Sequence, residues 1–308
     1  MPHVTEVDGN KIIIPRMTEI IATLDCEARA YLHPVNREET SWYTLSNAVA
    51  LAGTMGHHRI ENYIRNKMGL EEVELELSVE EQKLKDDIYK SNEGYLWLVD
   101  YIKTAFSNFL EWEYDFQPKY IKPEMSMVYI HRENDEVIPS RCVKGTVDLI
   151  VELDPEKMRK KARHIINLQE PSTVMLDWKT GRAKLDGHHA QLEGYDWLLD
   201  ISGEREKMNE TVVSKKWAVK TDQFGDEVRL AVCVRLGGFS YFADAYELNT
   251  GKFETAYDLF QSPRYIAKTR DAKYGNRVFR EGYHCVFCPH RDVDCPIFRV
   301  QKVDLEVL

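Results

Sequence analysis

The sequence predicts an α/β protein, in the α+β sense of a central mixed sheet flanked by helices, with a helical N-terminal part. Three observations carry that reading. Residues 1–120 hold apolar side chains at helical spacing in three long stretches. From Glu124 onward, short runs rich in Val, Ile, Leu and Met take over. A single amphipathic stretch, Ala190 to Leu199, then interrupts those runs, which is the alternation a mixed sheet with packed helices produces.

Helical spacing is read over Met17–Tyr31, Leu45–Met68 and Ile88–Trp112, the last with a stripe of Tyr95, Leu98, Val99, Ile102, Phe106, Phe109 and Leu110. The strands expected are Glu124–Arg132, Val143–Leu153, Val174–Trp178, Val228–Leu236 and Tyr241–Leu248, and a last helix covers Phe253–Phe260. No repeat and no Gly-, Ser- or Pro-rich linker divides the chain. One domain over 1–308 is therefore expected, with a helical part (1–120), a sheet core (121–260) and a cysteine-bearing, basic C-terminal region (261–308).

Hydrophobic residues make up 43% of the 308 and charged residues 30%, enough for a sizeable core and a water-facing surface. Apolar runs fall short of the roughly 20 residues a membrane span requires. The N-terminus lacks the basic-then-apolar order of a signal peptide. A soluble intracellular, cytoplasmic protein without a membrane partner is expected.

The net charge of −10 does not by itself suit a nucleic-acid partner, but the charge is unevenly spread. Glu71–Asp87 holds eight acids and two lysines, whereas Ser262–Gln301 holds eight Lys/Arg and four Asp/Glu with aromatic residues interleaved. A second basic knot runs from Lys157 through Arg159, Lys160 and Lys161 to Arg163. Both basic segments could follow a phosphate backbone or be ordinary solvated charge.

Chemistry concentrates on three pieces. In Gly145-Thr146-Val147-Asp148-Leu149-Ile150 a carboxylate stands inside an apolar strand run, where it is costly unless it meets a cation or hydrogen-bond donors. In Leu176-Asp177-Trp178-Lys179-Thr180-Gly181, Asp177 and Lys179 are two apart on a strand and share a face, while Leu176 and Trp178 point the other way. Gln191 and Tyr195 form an i, i+4 pair on the next helix. Two carboxylates on neighbouring strands can bind Mg²⁺ through oxygen, and a lysine beside them can offset charge that builds on a phosphorane. Taken alone, Asp-x-Lys is far more often a surface ion pair at the end of a strand.

The six cysteines include a cluster, Cys285-x₂-Cys288-x₆-Cys295, whose spacing suits soft-metal ligation. Cys142 and Cys233 fall in or near strand runs and read as buried side chains. Cys26, at the end of the first helix, is the candidate fourth ligand. By composition alone Zn²⁺ is the default metal, with His284 or His290 able to replace a cysteine.

The series Gly145-x-x-Asp148, Asp177-x-Lys179-Thr180-Gly181 and Gln191-x-x-x-Tyr195 resembles the RecB-type branch of the PD-(D/E)XK nucleases. Members of that branch also carry an upstream Gly-x-x-x-His helix, matched by Gly53-Thr54-Met55-Gly56-His57 and followed by Ile60 and Glu61. The resemblance implies a restriction-endonuclease-like sheet and hydrolysis of DNA, single-stranded or at ends. His57, Asp148 and Asp177 would be ligands of Mg²⁺ or Mn²⁺, with His58 the lesser candidate. Lys179, Gln191 and Tyr195 would serve the chemistry, and Glu124 could line the site.

CRISPR-associated RecB-like exonucleases and AddB-type helicase–nucleases pair this core with one N-terminal and three C-terminal cysteines around a 4Fe–4S cluster. By that resemblance Cys26, Cys285, Cys288 and Cys295 would hold a structural cluster tying the two chain ends together, although Glu27 stands where the family has proline. The same resemblance implies a helicase, recombination or CRISPR-adaptation partner. Any motor must be a separate protein, because no Gly-x-x-x-x-Gly-Lys-Ser/Thr loop is present. A structure-specific endonuclease, or a non-catalytic nucleic-acid-binding subunit that kept the fold, are the rival readings.

Overall fold

The computed structural model describes residues 4–25, 45–90, 96–180, 185–211, 216–221, 225–249 and 251–261. In chain order these form β1 (Val4–Val7), β2 (Asn10–Ile13), α1 (Met17–Asp25), α2 (Leu45–Lys67), α3 (Val79–Tyr89), α4 (Leu96–Phe116) and β3 (Lys119–Tyr129). There follow β4 (Arg132–Glu133), β5 (Glu136–Val137), β6 (Val143–Leu153), α5 (Lys160–Ile166), β7 (Ser172–Lys179) and α6 (Leu185–Ile201). The last elements are α7 (Glu204–Thr211), β8 (Val219–Thr221), β9 (Glu227–Arg235), β10 (Phe242–Glu247) and α8 (Lys252–Gln261). The chain divides into two compact units, one of Met1–Trp42, Val128–Gly145 and Gly251–Leu308, the other of Tyr43–Met127 and Thr146–Thr250.

In the first unit, β1 and β2 pair antiparallel from Val4↔Ile13 to Val7↔Asn10. The turn is Asp8-Gly9, with φ of 53° and 76°, the left-handed pair that a two-residue hairpin loop needs. Helix α1 buries Met17, Ile20 and Ile21. Its Thr23 hydroxyl lies 3.0 Å from the Ala256 carbonyl of α8.

The second unit carries the chemistry-bearing sheet. Six strands form a mixed sheet in the order β10-β9-β7-β6-β3, with β8 also on β9. β6–β7 and β9–β10 are antiparallel, and β7–β9 is parallel. β7 lies at the centre, with seven of its eight residues buried, so both of its faces are covered. One face sends Val174, Leu176 and Trp178 into the main core beside Ile60 and Ile64 of α2, Phe109, Trp112 and Phe116 of α4, and Ala162 and Ile166 of α5. Trp178 meets Trp112 and Phe109 edge-on at 4.9 and 5.5 Å, a geometry aromatic rings favour. A smaller cluster joins Ala48, Leu51 and Met55 of α2 to Leu84 and Ile88 of α3 and to Leu98 and Ile102 of α4.

Several elements differ from the sequence expectation. Ile88 belongs to α3, not to the helix that carries Phe109, because a capping box of Ser78 and Glu81 starts a separate helix in the acidic stretch. β3 begins at Lys119, earlier than Glu124, and α5 and α7 have no counterpart among the expected elements. These two helices have seven and eight residues, too few for a periodic pattern to declare itself. No helix among the described residues is long and apolar enough to cross a membrane.

Candidate active site

The β6–β7 ladder runs from Leu153↔Ser172 to Leu149↔Leu176 and stops there. Beyond it the amide of Trp178 is bound by a side chain: it donates to Asp148 Oδ2 at 2.6 Å. A buried N–H without its ladder partner needs another acceptor, and the Asp148 carboxylate supplies it. Asp177 and Lys179 share the opposite face from Leu176 and Trp178, as strand alternation requires. Lys179 Nζ stands 2.5 Å from Asp177 Oδ2.

His57 reaches this point from α2, its Nδ1 3.7 Å from Asp148 Oδ2. The helix can come so close because its preceding turn presents glycines to Thr180 at the end of β7. A Cβ on Gly53 would stand 2.9 Å from Thr180 Oγ1, and one on Gly56 3.6 Å from Thr180 Cγ2. On the other side, a Cβ on Gly237 would fall 2.0 Å from the Thr180 carbonyl oxygen, which also accepts from the Tyr101 hydroxyl. His58 turns away from the site, its Nε2 2.8 Å from the Val73 carbonyl. On α6, Gln191 Nε2 donates to the Tyr195 hydroxyl at 2.6 Å, and both side chains are buried.

The electrostatics show an excess of negative charge. Burial pushes Glu124 up to about 9, reinforced by Asp148, Glu61 and Asp177. Burial likewise raises Asp177, to about 6; Lys179 opposes the shift and Asp148 adds to it. Burial also disfavours the charge on Asp148, but His57, Lys179 and the Trp178 N–H outweigh it and hold that carboxyl below its ordinary value. Lys179 loses by burial and gains more from Asp177 and Asp148, so its ammonium is held charged. Tyr195 is raised well above its ordinary value by burial and then by Asp177 and Asp148, so it stays a neutral phenol.

Glu124 is aimed by an unusual backbone, φ 46°, inside β3. Glu61 lies one turn beyond His57 on α2, and its carboxylate pairs with Arg65 at 3.3 Å. Thus His57, Asp148, Asp177, Lys179, Gln191, Tyr195 and Glu124 gather in one neighbourhood. Glu61 joins them as an acid that sequence reasoning gave no role, though its i+4 spacing from His57 was a usable signal.

The donor set suits a hard cation. Asp177 Oδ2 is buried, and the partner it meets is the Lys179 ammonium. Carboxylate oxygens with one imidazole are the ligands of Mg²⁺ and Mn²⁺. Among the described residues no three His, Cys, Asp or Glu side chains already stand together at metal-holding distances. The proposed cluster ligands Cys26, Cys285, Cys288 and Cys295 lie outside the described residues, as does the basic stretch Ser262–Gln301. Cys142, just before β6, and Cys233, in β9, are buried free thiols, as expected from their places in or near strand runs.

The second basic knot is partly engaged by its own neighbours. Lys157 pairs with Asp154, and Lys161 with Glu111 and Asp115. Arg159 stacks on Tyr114, and Arg163 donates to the carbonyls of Met158 and Glu156. The knot also follows the far end of β6, five residues or about 17 Å along the strand from Asp148. Two of its five cations are paired with acids, and the knot lies away from the site.

No protein-family model matches the chain, and no curated protein matches it. Among solved structures, one described as the crystal structure of SSO0001 is similar over 88% of this chain and 95% of its own, at 12% sequence identity and a TM-score of 0.30. That likeness carries no functional argument. By its own architecture the chain is a mixed α/β protein whose six-stranded mixed sheet is flanked by helices.

Proposed function

We propose that this protein is a divalent-metal-dependent DNA exonuclease of the PD-(D/E)XK type, hydrolysing phosphodiester bonds of single-stranded or end-bearing DNA, on a sheet of the restriction-endonuclease-like kind. One observation carries the reading. The strand pair β6–β7 opens where Asp148 and Asp177 stand, and there a charged Lys179 and His57 face an under-neutralised group of acids.

His57, Asp148 and Asp177 would hold Mg²⁺ or Mn²⁺. When bound, such an ion polarises a phosphodiester oxygen and makes hydroxide available near neutral pH. The chain's own residues do the rest. Lys179, held charged by the two aspartates, offsets negative charge as the phosphorane forms. The Trp178 N–H fixes the Asp148 carboxylate, so that ligand is oriented before any ion arrives. Gln191, anchored on the Tyr195 hydroxyl, positions the strand or the lysine. A structural 4Fe–4S cluster on Cys26, Cys285, Cys288 and Cys295, with Zn²⁺ as the alternative, belongs to the same reading.

The test is degradation of end-labelled linear single-stranded DNA with Mn²⁺ or Mg²⁺, comparing anaerobically purified protein with Lys179→Ala. Metal-dependent shortening that the variant loses supports the reading. A folded wild type without cleavage overturns it in favour of a binding subunit. Cutting of circular single strands would replace the exonuclease by an endonuclease.

A further inference from the structure

The face that carries Asp177 and Lys179 continues across β9 onto the edge strand β10. In the parallel β7–β9 pairing, Asp177 stands opposite Cys233 and Lys179 opposite Arg235. In the β9–β10 pairing, Arg235 stands opposite Phe242. Directly opposed residues on paired strands point to the same side, so Lys179, Arg235 and Phe242 form one row across three strands spaced about 4.8 Å apart.

That row is unusual in its chemistry. The Arg235 guanidinium lies 4.1 Å over the Phe242 ring, and Asp244 Oδ2, 3.3 Å from its Nη2, steers it there. Arg235 Nε is buried and finds no acceptor among the described residues. Phe242 is 53% exposed, although one ring face is covered by the guanidinium, so the other is open to water. Phe239, in the turn between β9 and β10, is fully exposed. A cation one strand away from Lys179, with exposed aromatic rings on the next strand and in the adjoining turn, is the equipment of a single-strand nucleic-acid site. There backbone phosphates meet Arg and bases stack on rings.

We propose that Arg235 and Phe242 form a nucleotide subsite for single-stranded nucleic acid, Arg235 taking the phosphate next to the scissile one and Phe242 stacking its base. The proposal rests on the nuclease reading, since it takes Lys179 to mark the scissile phosphate. It makes the β9–β10 ledge, and not the distant knot at Lys157–Arg163, the path of the strand out of the site. Stacking requires an unpaired base, so the ledge would select single strands over duplex by geometry.

The test is fluorescence anisotropy of a labelled oligothymidylate with the full chain, in Ca²⁺ or in chelator, alongside cleavage assays in Mn²⁺. Phe242→Ala should weaken binding about tenfold, the size of one lost base stack, and Phe242→Tyr should restore it. An abasic position in the oligonucleotide should cost wild type a similar factor and cost Phe242→Ala nothing further. Arg235→Gln should lower the slope of log affinity against log salt by about 0.7, one phosphate contact on a single strand. Wild-type binding and salt slope in both folded variants would overturn the ledge, even if cleavage is intact and lost in Lys179→Ala. The converse result, ledge-dependent binding without any cleavage, would remove the nuclease reading and leave a single-strand binding site. Phe242 is exposed, so its alanine variant is expected to fold whatever Arg235→Gln does.

Discussion

Gly53 and Thr180 touch so closely that a Cβ on the glycine would stand 2.9 Å from the threonine Oγ1. This contact brings α2 down on the end of β7, and His57, one turn further along the helix, lands 3.7 Å from Asp148. The Gly-x-x-x-His spacing is therefore a packing requirement before it is a chemical one: the glycine sets the depth of the helix, and the histidine four residues on uses it.

The contact can be tested by a pair of substitutions. Gly53→Ala gains about 1 kcal/mol of helix propensity but overpacks against Thr180, at a cost of about 1–3 kcal/mol. Alone it should be neutral to destabilising. In a Thr180→Ala background, where Oγ1 is gone, the same change should become stabilising by about 1 kcal/mol. Urea midpoints of the four proteins measure both, and a gain of equal size in the two backgrounds would remove the proposed crowding.

Tyr195→Phe deletes the acceptor of Gln191 Nε2, a buried hydrogen bond 2.6 Å long. Stability should fall by about 1 kcal/mol. If Gln191 positions substrate or lysine, cleavage should fall further than the fraction unfolded explains. Stability and single-turnover cleavage measured together distinguish the two, and unchanged cleavage would reduce this pair to a structural role.

His188, whose Nδ1 lies 3.6 Å from Cys233 Sγ, supplies a pH dependence of its own. Burial lowers it to about 4, helped by Lys179 and Arg235, while an unfolded histidine titrates at about 6.5. Between those values the unfolded chain binds more protons than the folded one, so stability rises with pH. The contribution is complete above about 6.5 and is lost as pH falls through about 4. The melting temperature of wild type should fall relative to that of His188→Asn between pH 7.5 and pH 4.5. A constant difference would show that His188 does not titrate in this window.

The cysteines make a compositional prediction. Protein purified without oxygen should contain iron and acid-labile sulfide in a 4:4 ratio per chain under the cluster reading, and Cys285→Ala or Cys26→Ala should abolish both. Zinc without sulfide would replace the cluster by a tetrahedral site. Absence of any bound metal in the folded wild type would remove the soft-metal reading.

Much of this was legible without a fold. Alternation placed Asp177 and Lys179 on one face and Leu176 and Trp178 on the other, and the Trp178 ring does pack on Trp112. The anomaly of an acid among Val147 and Leu149 pointed to donors, and one is the Trp178 amide. Helix α2 and strand β6 lie at or within one residue of their expected bounds, because long periodic or uniformly apolar runs leave little choice. Short elements escaped, as did the capping box that makes α3 separate from α4.

By itself, then, the sequence determined which residues carry charge inside apolar strands, which faces they share, and that two glycines precede a histidine at helical spacing. Those are local facts, set by backbone periodicity and by the cost of burying a carboxylate. Only the tertiary structure decided that β6 and β7 part at Asp148, that Lys157–Arg163 follows the far end of β6, and that Arg235 and Phe242 continue the row from Lys179. Strand order and register are set by non-local packing of whole faces, so residues 56 and 63 positions apart become neighbours with no mark in the local pattern.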